Sequence, residues 1–131
     1  MQQRHLAPSY DHGSSLGRNE TDDRRQAILA TRDKGQSMAA YVRRARSAFY
    51  PPAPVGAKVK AYPTLELFEL ACKMDPLAGL AWQGQLAAIE EQKIREVISM
   101  VPDEHMSGIA REFTAKLLLT NIDRLLSLKI R

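Results

Sequence analysis

Residues 108–129 read GIAREFTAKLLLTNIDRLLSLK, and the reading of this stretch decides the fold. Ile109, Phe113, Leu117, Leu118, Ile122, Leu125 and Leu126 recur at the three- and four-residue spacing of a helix face, not at the alternation of a strand. Ser107 stands where an N-cap belongs, and Arg124 and Lys129 sit near the end, where the helix dipole favours cations. So wide an apolar stripe needs other helices to cover it.

The preceding sequence supplies them. Thr21 reads as an N-cap with Asp22 and Asp23 in the first turn, and the pattern predicts a helix through RRQAILATRDK, ended by Gly35. Ser37 is expected to cap a second helix over MAAYVRRARSAFY, residues 38–50. Met38, Tyr41, Val42 and Ala45 would share one face, extended by Phe49, with Arg43, Arg44 and Arg46 opposite. Residues 51–63, PPAPVGAKVKAYP, form a Pro-rich connector. Thr64 is expected to cap a third helix carrying Leu65, Phe68, Leu70, Ala71 and Cys72. Asp75-Pro76 breaks it, and proline suits the first turn of the next helix. That fourth segment carries Leu77, Leu80, Ala81, Trp82 and Leu86, with Trp82 assigned to the core. Gly79 and Gly84, each costing about 1 kcal/mol against alanine, predict an irregular helix there. A fifth helix presents Ile94, Val97, Ile98 and Val101, and the chain turns at Pro102. Residues 1–20 are polar and read as loop, with at most one short strand at Arg4–Ala7. No internal repeat is visible. The expected class is mainly α: a small helical bundle over 21–131 behind an irregular loop.

A length of 131 residues suits one domain, and 44% hydrophobic with 26% charged residues is a globular composition. No apolar run approaches the roughly 18–20 residues that cross a bilayer, so no membrane partner is expected. MQQRHLAPSYDHG has no apolar core of a secretory signal. Cys72 is the single cysteine, which excludes an intrachain disulfide and points to a reducing, cytoplasmic setting. Free cysteine most often packs as a small hydrophobe. The net charge of +4 permits contact with phosphate or nucleic acid, while 6% aromatic residues argue against a stacking-type single-strand binder.

LAPSYDHGSSLG, residues 6–17, places Asp11 and His12 before a flexible Gly/Ser segment. An aspartate there suits Mg²⁺, which takes carboxylate oxygen, although an aspartate bonded to its own turn backbone is the commoner use. His5, His12 and His105 lack metal-ligand spacing, and no second cysteine supports zinc. No Gly-Lys-Ser/Thr follows the glycines, which excludes a Walker loop. Gly13-Ser14-Ser15-Leu16-Gly17 matches G-x-S-x-G in letters, but no apolar strand leads into it, so the match is fortuitous. Arg43, Arg44 and Arg46, extended by Lys58 and Lys60, form the strongest basic cluster; it suits phosphate or nucleic acid, or simply a solvated helix face.

The order LAPSYDHGSSLG, TDDRR, YVRRARSAFY, Pro-rich connector, TLELFELA, ISMVPDEHMS and AREFTAKLLLTNIDRLL resembles the C-terminal part of HipA-like kinases. These are serine/threonine kinases whose best-known members are toxins of toxin–antitoxin pairs. The resemblance runs over nearly the whole chain and is most specific at residues 6–17, 41–50 and 101–126. It implies a Mg²⁺-binding role for Asp11, analogous to the aspartate of the DFG motif, with His12 and Gly13 in the loop after the metal site. It also implies a helical kinase C-lobe, and Mg²⁺ and ATP as cofactors of the full-length family. Phosphoryl transfer also needs a nucleotide-binding lysine, a catalytic aspartate and a second metal-binding asparagine, which in the family lie upstream. MQQRHLAPSY holds no Asp, Asn or Lys. The chain alone is therefore expected to bind neither cofactor tightly and to contain no complete catalytic set.

Three readings follow. One is a HipA-like lobe, inactive by itself and completed by a separately encoded N-terminal half or bound by an antitoxin-like protein. Another is a stand-alone helical protein-interaction module. The last is a small basic nucleic-acid-binding protein using Arg43, Arg44, Arg46, Lys58 and Lys60, against which the low aromatic content argues; nucleic acid is not expected as the partner.

Overall fold

The computed structural model describes residues 15–130. The expected strand at Arg4–Ala7 and the residues Asp11, His12 and Gly13 lie outside them. Six helices follow one another among the described residues: α1 (Asp22–Ala30), α2 (Met38–Val42), α3 (Thr64–Met74), α4 (Pro76–Ala87), α5 (Glu91–Ser99) and α6 (Gly108–Leu126). The described part is mainly helical, and its only β-type pairing is an isolated bridge between Arg46 and Pro63.

The long α6 is the hub, packed by α1, α2, α4 and α5, while α3 packs on α4. Its apolar residues serve two clusters rather than one stripe. Phe113 and Leu117, one turn apart, join Ile28 of α1 with Met38 and Val42 of α2. Ala115, Leu118, Leu119 and Ile122 meet Ile94 and Ile98 of α5. A helix buried on two sides has apolar residues around much of its girth, which is why its sequence is so dense in leucine.

Polar side chains close the helix ends. Ser107 Oγ accepts from Ala110 N (3.1 Å) at the start of α6, and Thr21 Oγ1 from Arg24 N (3.3 Å) at the start of α1. Asp75 accepts from Ala78 N (3.1 Å), with Pro76 in the first turn of α4. Arg111 of α6 donates to the carbonyls of Ile98 (2.7 Å) and Val101 and to Asp103 (2.8 Å), serving acceptors that the end of α5 leaves open. Gln83 of α4 donates to the carbonyls of Leu125 (2.7 Å) and Leu128 (3.0 Å), tying α4 to the end of α6.

Several boundaries differ from the sequence expectation. α1 stops at Ala30 because local side chains take over the backbone: Asp33 N donates to Thr31 Oγ1 (3.0 Å) and Gly35 N to Asp33 Oδ1 (2.8 Å), a turn that competes with the helix. Ser37 precedes α2 but does not cap it; its hydroxyl donates to Lys34 O (2.8 Å). α2 ends at Val42, so Arg43 is its C-cap and Arg44 and Arg46 lie beyond it. The backbone that would have extended α2 pairs instead with residues 62–64: Thr64 N to Ala45 O (3.3 Å), Ser47 N to Tyr62 O (2.8 Å) and Tyr62 N to Phe49 O (2.9 Å). Arg124 of α6 donates to Val42 O (3.2 Å), serving an end carbonyl of α2. Thr64 is the first residue of α3, not its cap. Trp82 is not core: it is 53% exposed, and Leu77 of the same helix is 81% exposed.

α4 is continuous across both glycines. Gly79 is buried, and a Cβ there would stand 2.7 Å from Cys72 Sγ and 2.9 Å from Ile130 Cδ1. The glycine lets α3 and the segment after α6 close onto α4. Cys72 is buried as expected, and that burial pushes its thiol up. Gly79→Ala gains helix propensity of about 1 kcal/mol but forces overpacking that costs about 1–3 kcal/mol. A net loss of roughly 1 kcal/mol is expected, read as a lower urea midpoint; an unchanged or higher midpoint would show that the Cys72 contact yields freely.

Candidate functional site

The turn Ser15–Glu20 connects the LAPSYDHGS segment to the helical body. Leu16 and Gly17 both adopt left-handed backbone, at φ 61° and 69°. The turn is closed by Arg18 N to Ser15 O (3.3 Å) and Glu20 N to Gly17 O (3.0 Å). Arg25 of α1 fixes it from below, donating to Gly17 O (3.1 Å) and Arg18 O (3.3 Å) while paired with Asp22 (2.6 Å). Hydrogen bonds from Ser107 and Arg25 hold the Asp22 carboxyl below its ordinary range. Its contribution to stability is therefore present above the ordinary carboxylate pKa and lost as the pH falls through the lowered value.

Gly17 rests on aromatic rings. A Cβ at Gly17 would stand 2.6 Å from Phe113 Cε1 and 3.3 Å from the Tyr41 hydroxyl. Tyr41 meets Phe113 edge to face, centroids 5.3 Å apart at 80°, and donates its hydroxyl proton to Glu20 Oε1 (3.1 Å). Burial, reinforced by the Glu20 carboxylate, pushes the Tyr41 phenol up and keeps it a donor.

A cleft opens on each side of this turn, and Ser15 and Leu16 line both. The first, about 750 Å³, is walled by Arg24, Tyr41, Arg44, Arg46 and Asn121. Its one carboxylate, Glu20, is engaged by Tyr41, so three guanidinium groups dominate the electrostatics and suit an anion. The second, about 630 Å³, has Arg18, Asp22, His105 and Ser107 above an apolar floor that includes Val97 and Met106. Its Ser107 hydroxyl is committed as the cap of α6 rather than presented as a nucleophile.

Of the expected site residues, Arg44 and Arg46 line the same cleft. Arg43 does not; as the C-cap of α2 it lies near Arg124, whose pKa is lowered by burial and by the Arg43 charge. Asp11, His12 and Gly13 fall outside the described residues. Sequence reasoning missed Arg24, Tyr41 and Asn121 as cleft residues. They come from α1, α2 and α6, and no spacing in the chain joins them. Among the described residues, no three His, Cys, Asp or Glu side chains converge on a cation position. No described helix is long and apolar enough to cross a membrane. Comparison with models of protein families, with curated proteins and with solved structures gives no match, so the functional reading rests on the residues of this chain.

Proposed function

We propose that this chain is the helical lobe of a HipA-like protein kinase, and that its 131 residues transfer no phosphoryl group by themselves. The observation that supports this best is the anchoring of the Ser15–Glu20 turn. Asp11 lies four positions before Ser15, and Ser15 opens a turn clamped by Arg25 and seated on Phe113 and Tyr41. The anchored turn itself borders a cleft walled by three arginines, a surface that suits phosphate. Mg²⁺ is usually held by one or two carboxylates together with waters and substrate phosphates, so a cation held by Asp11 would be shared with the nucleotide.

The test has two parts. The purified chain, incubated with radiolabelled ATP and Mg²⁺, is expected to transfer no label; transfer that is lost in Asp11→Ala would refute the proposal. The native polypeptide carrying α6, captured with an antibody and weighed intact, is expected to be a larger kinase, or a chain near 14.7 kDa with a kinase half bound to it. Kinase activity abolished by Asp11→Ala would support the lobe reading in either form.

A second reading, a protein-interaction module, is favoured by one feature. α4 and the residue that follows its cap leave Leu77, Leu80, Trp82 and Ile89 exposed, beside an apolar hollow of about 250 Å³. Apolar surface of this kind marks contact with another protein. A chain near 14.7 kDa, bound to a partner with no kinase activity, would favour that reading.

A further inference from the structure

The end of α2 at Val42 turns the basic cluster into part of an exposed arm. Residues 45–49 pair with 62–64, and the chain between them reverses at a turn in which Ala57 N donates to Pro54 O (3.1 Å), with Gly56 at φ 85°. Almost every residue from Ala48 to Lys60 is exposed.

Charge and rings concentrate here. From Lys34 to Leu65 there is no aspartate or glutamate, and the stretch holds six cations: Lys34, Arg43, Arg44, Arg46, Lys58 and Lys60. The chain has 19 Lys+Arg and 15 Asp+Glu, so the remainder holds 13 cations against 15 acids. The whole positive excess of the protein therefore lies in this stretch. Phe49 and Tyr50, 64% and 62% exposed, follow Arg46 after two residues. The low aromatic share of the whole chain hides this, because two of its eight aromatic residues stand side by side at the one basic place.

We propose that this arm binds single-stranded nucleic acid. Such a strand alternates phosphates with flat bases, and the arm offers cationic forks beside exposed rings on which bases stack. Arg44 and Arg46 carry the contact from the arm into the cleft walled by Arg24 and Asn121. The proposal is independent of the kinase-lobe reading, since it uses neither Asp11 nor a nucleotide cofactor.

The test is fluorescence anisotropy of the full chain with a labelled oligo-dT strand over a range of salt concentrations, with far-UV circular dichroism to confirm folding. Binding is expected to weaken as salt rises, with a slope of about 0.7 per phosphate contact. Arg44→Ala/Arg46→Ala/Lys58→Ala/Lys60→Ala should flatten that slope by about 3 units. Phe49→Ser/Tyr50→Ser should weaken binding about fivefold or more with the slope unchanged. Lys93→Ala/Lys116→Ala, remote from the arm in sequence, should leave binding as it was. Three results would overturn the proposal: no binding at low salt, binding that ignores the arm substitutions, or tighter binding to a duplex of equal length. Binding confined to phosphatidylglycerol vesicles would overturn it as well and assign the arm to an anionic membrane surface.

Discussion

Phe113→Ala is expected to cost about 3–5 kcal/mol, the range for emptying a fully buried aromatic site. Phe113 is 0% exposed and is the centre of the cluster that joins α1, α2 and α6. It also supports Tyr41 edge to face and carries Gly17 on its ring. Against a total stability of about 5–15 kcal/mol for an ordinary domain, this substitution removes a large fraction. The urea midpoint should fall steeply with little change in slope. Phe113→Leu keeps much of the apolar volume and should lose clearly less. A loss below about 1 kcal/mol in the alanine variant would mean that the three helices meet elsewhere.

Gly17→Ala should be the second largest effect. Left-handed backbone costs a residue with a side chain roughly 1–2 kcal/mol. The new methyl would also stand 2.6 Å from Phe113 Cε1, so the turn must lift or the ring must move. Lifting the turn breaks the Glu20 N to Gly17 O bond and the two Arg25 contacts. Hydrogen exchange at the amides of Arg18 and Glu20 should therefore quicken more than exchange in α3, which packs on α4. The two sites should also couple: Gly17→Ala should cost less in a Phe113→Leu background, because the offending ring edge is gone. Equal cost in both backgrounds would place the penalty in the backbone alone.

Much of the fold was legible in the sequence because its signals are local. Ser107, Thr21 and Asp75-Pro76 mark helix starts through bonds to residues only a few positions away. The i, i+4 pair Ile94 and Ile98 marks the buried face of α5 in the same way. The errors fell where a distant partner decides. RRARSAF is acceptable helix sequence, and only its pairing with residues 62–64 stops α2 at Val42. Trp82 has the composition of core, and its exposure depends on whether another element covers it. Gly79 read as a weak point of α4; its neighbours Cys72 and Ile130 make it a point of close approach. The arginine-walled cleft was half legible. Arg44 and Arg46 stood out as charge, but Arg24, Tyr41 and Asn121 join them only through the packing of α1 and α2 on α6.

The central position of α6 has a consequence for synthesis. A ribosome releases α1 to α5 before α6, and domains collapse only once their partners are available. The Arg124–Val42 bond closes a loop of 82 residues, and Gln83 waits 45 residues for the carbonyl of Leu128. The faces of α1, α2, α4 and α5 that pack on α6 therefore stay uncovered until α6 itself has left the exit tunnel. During that interval the nascent chain is a natural client for a holding chaperone.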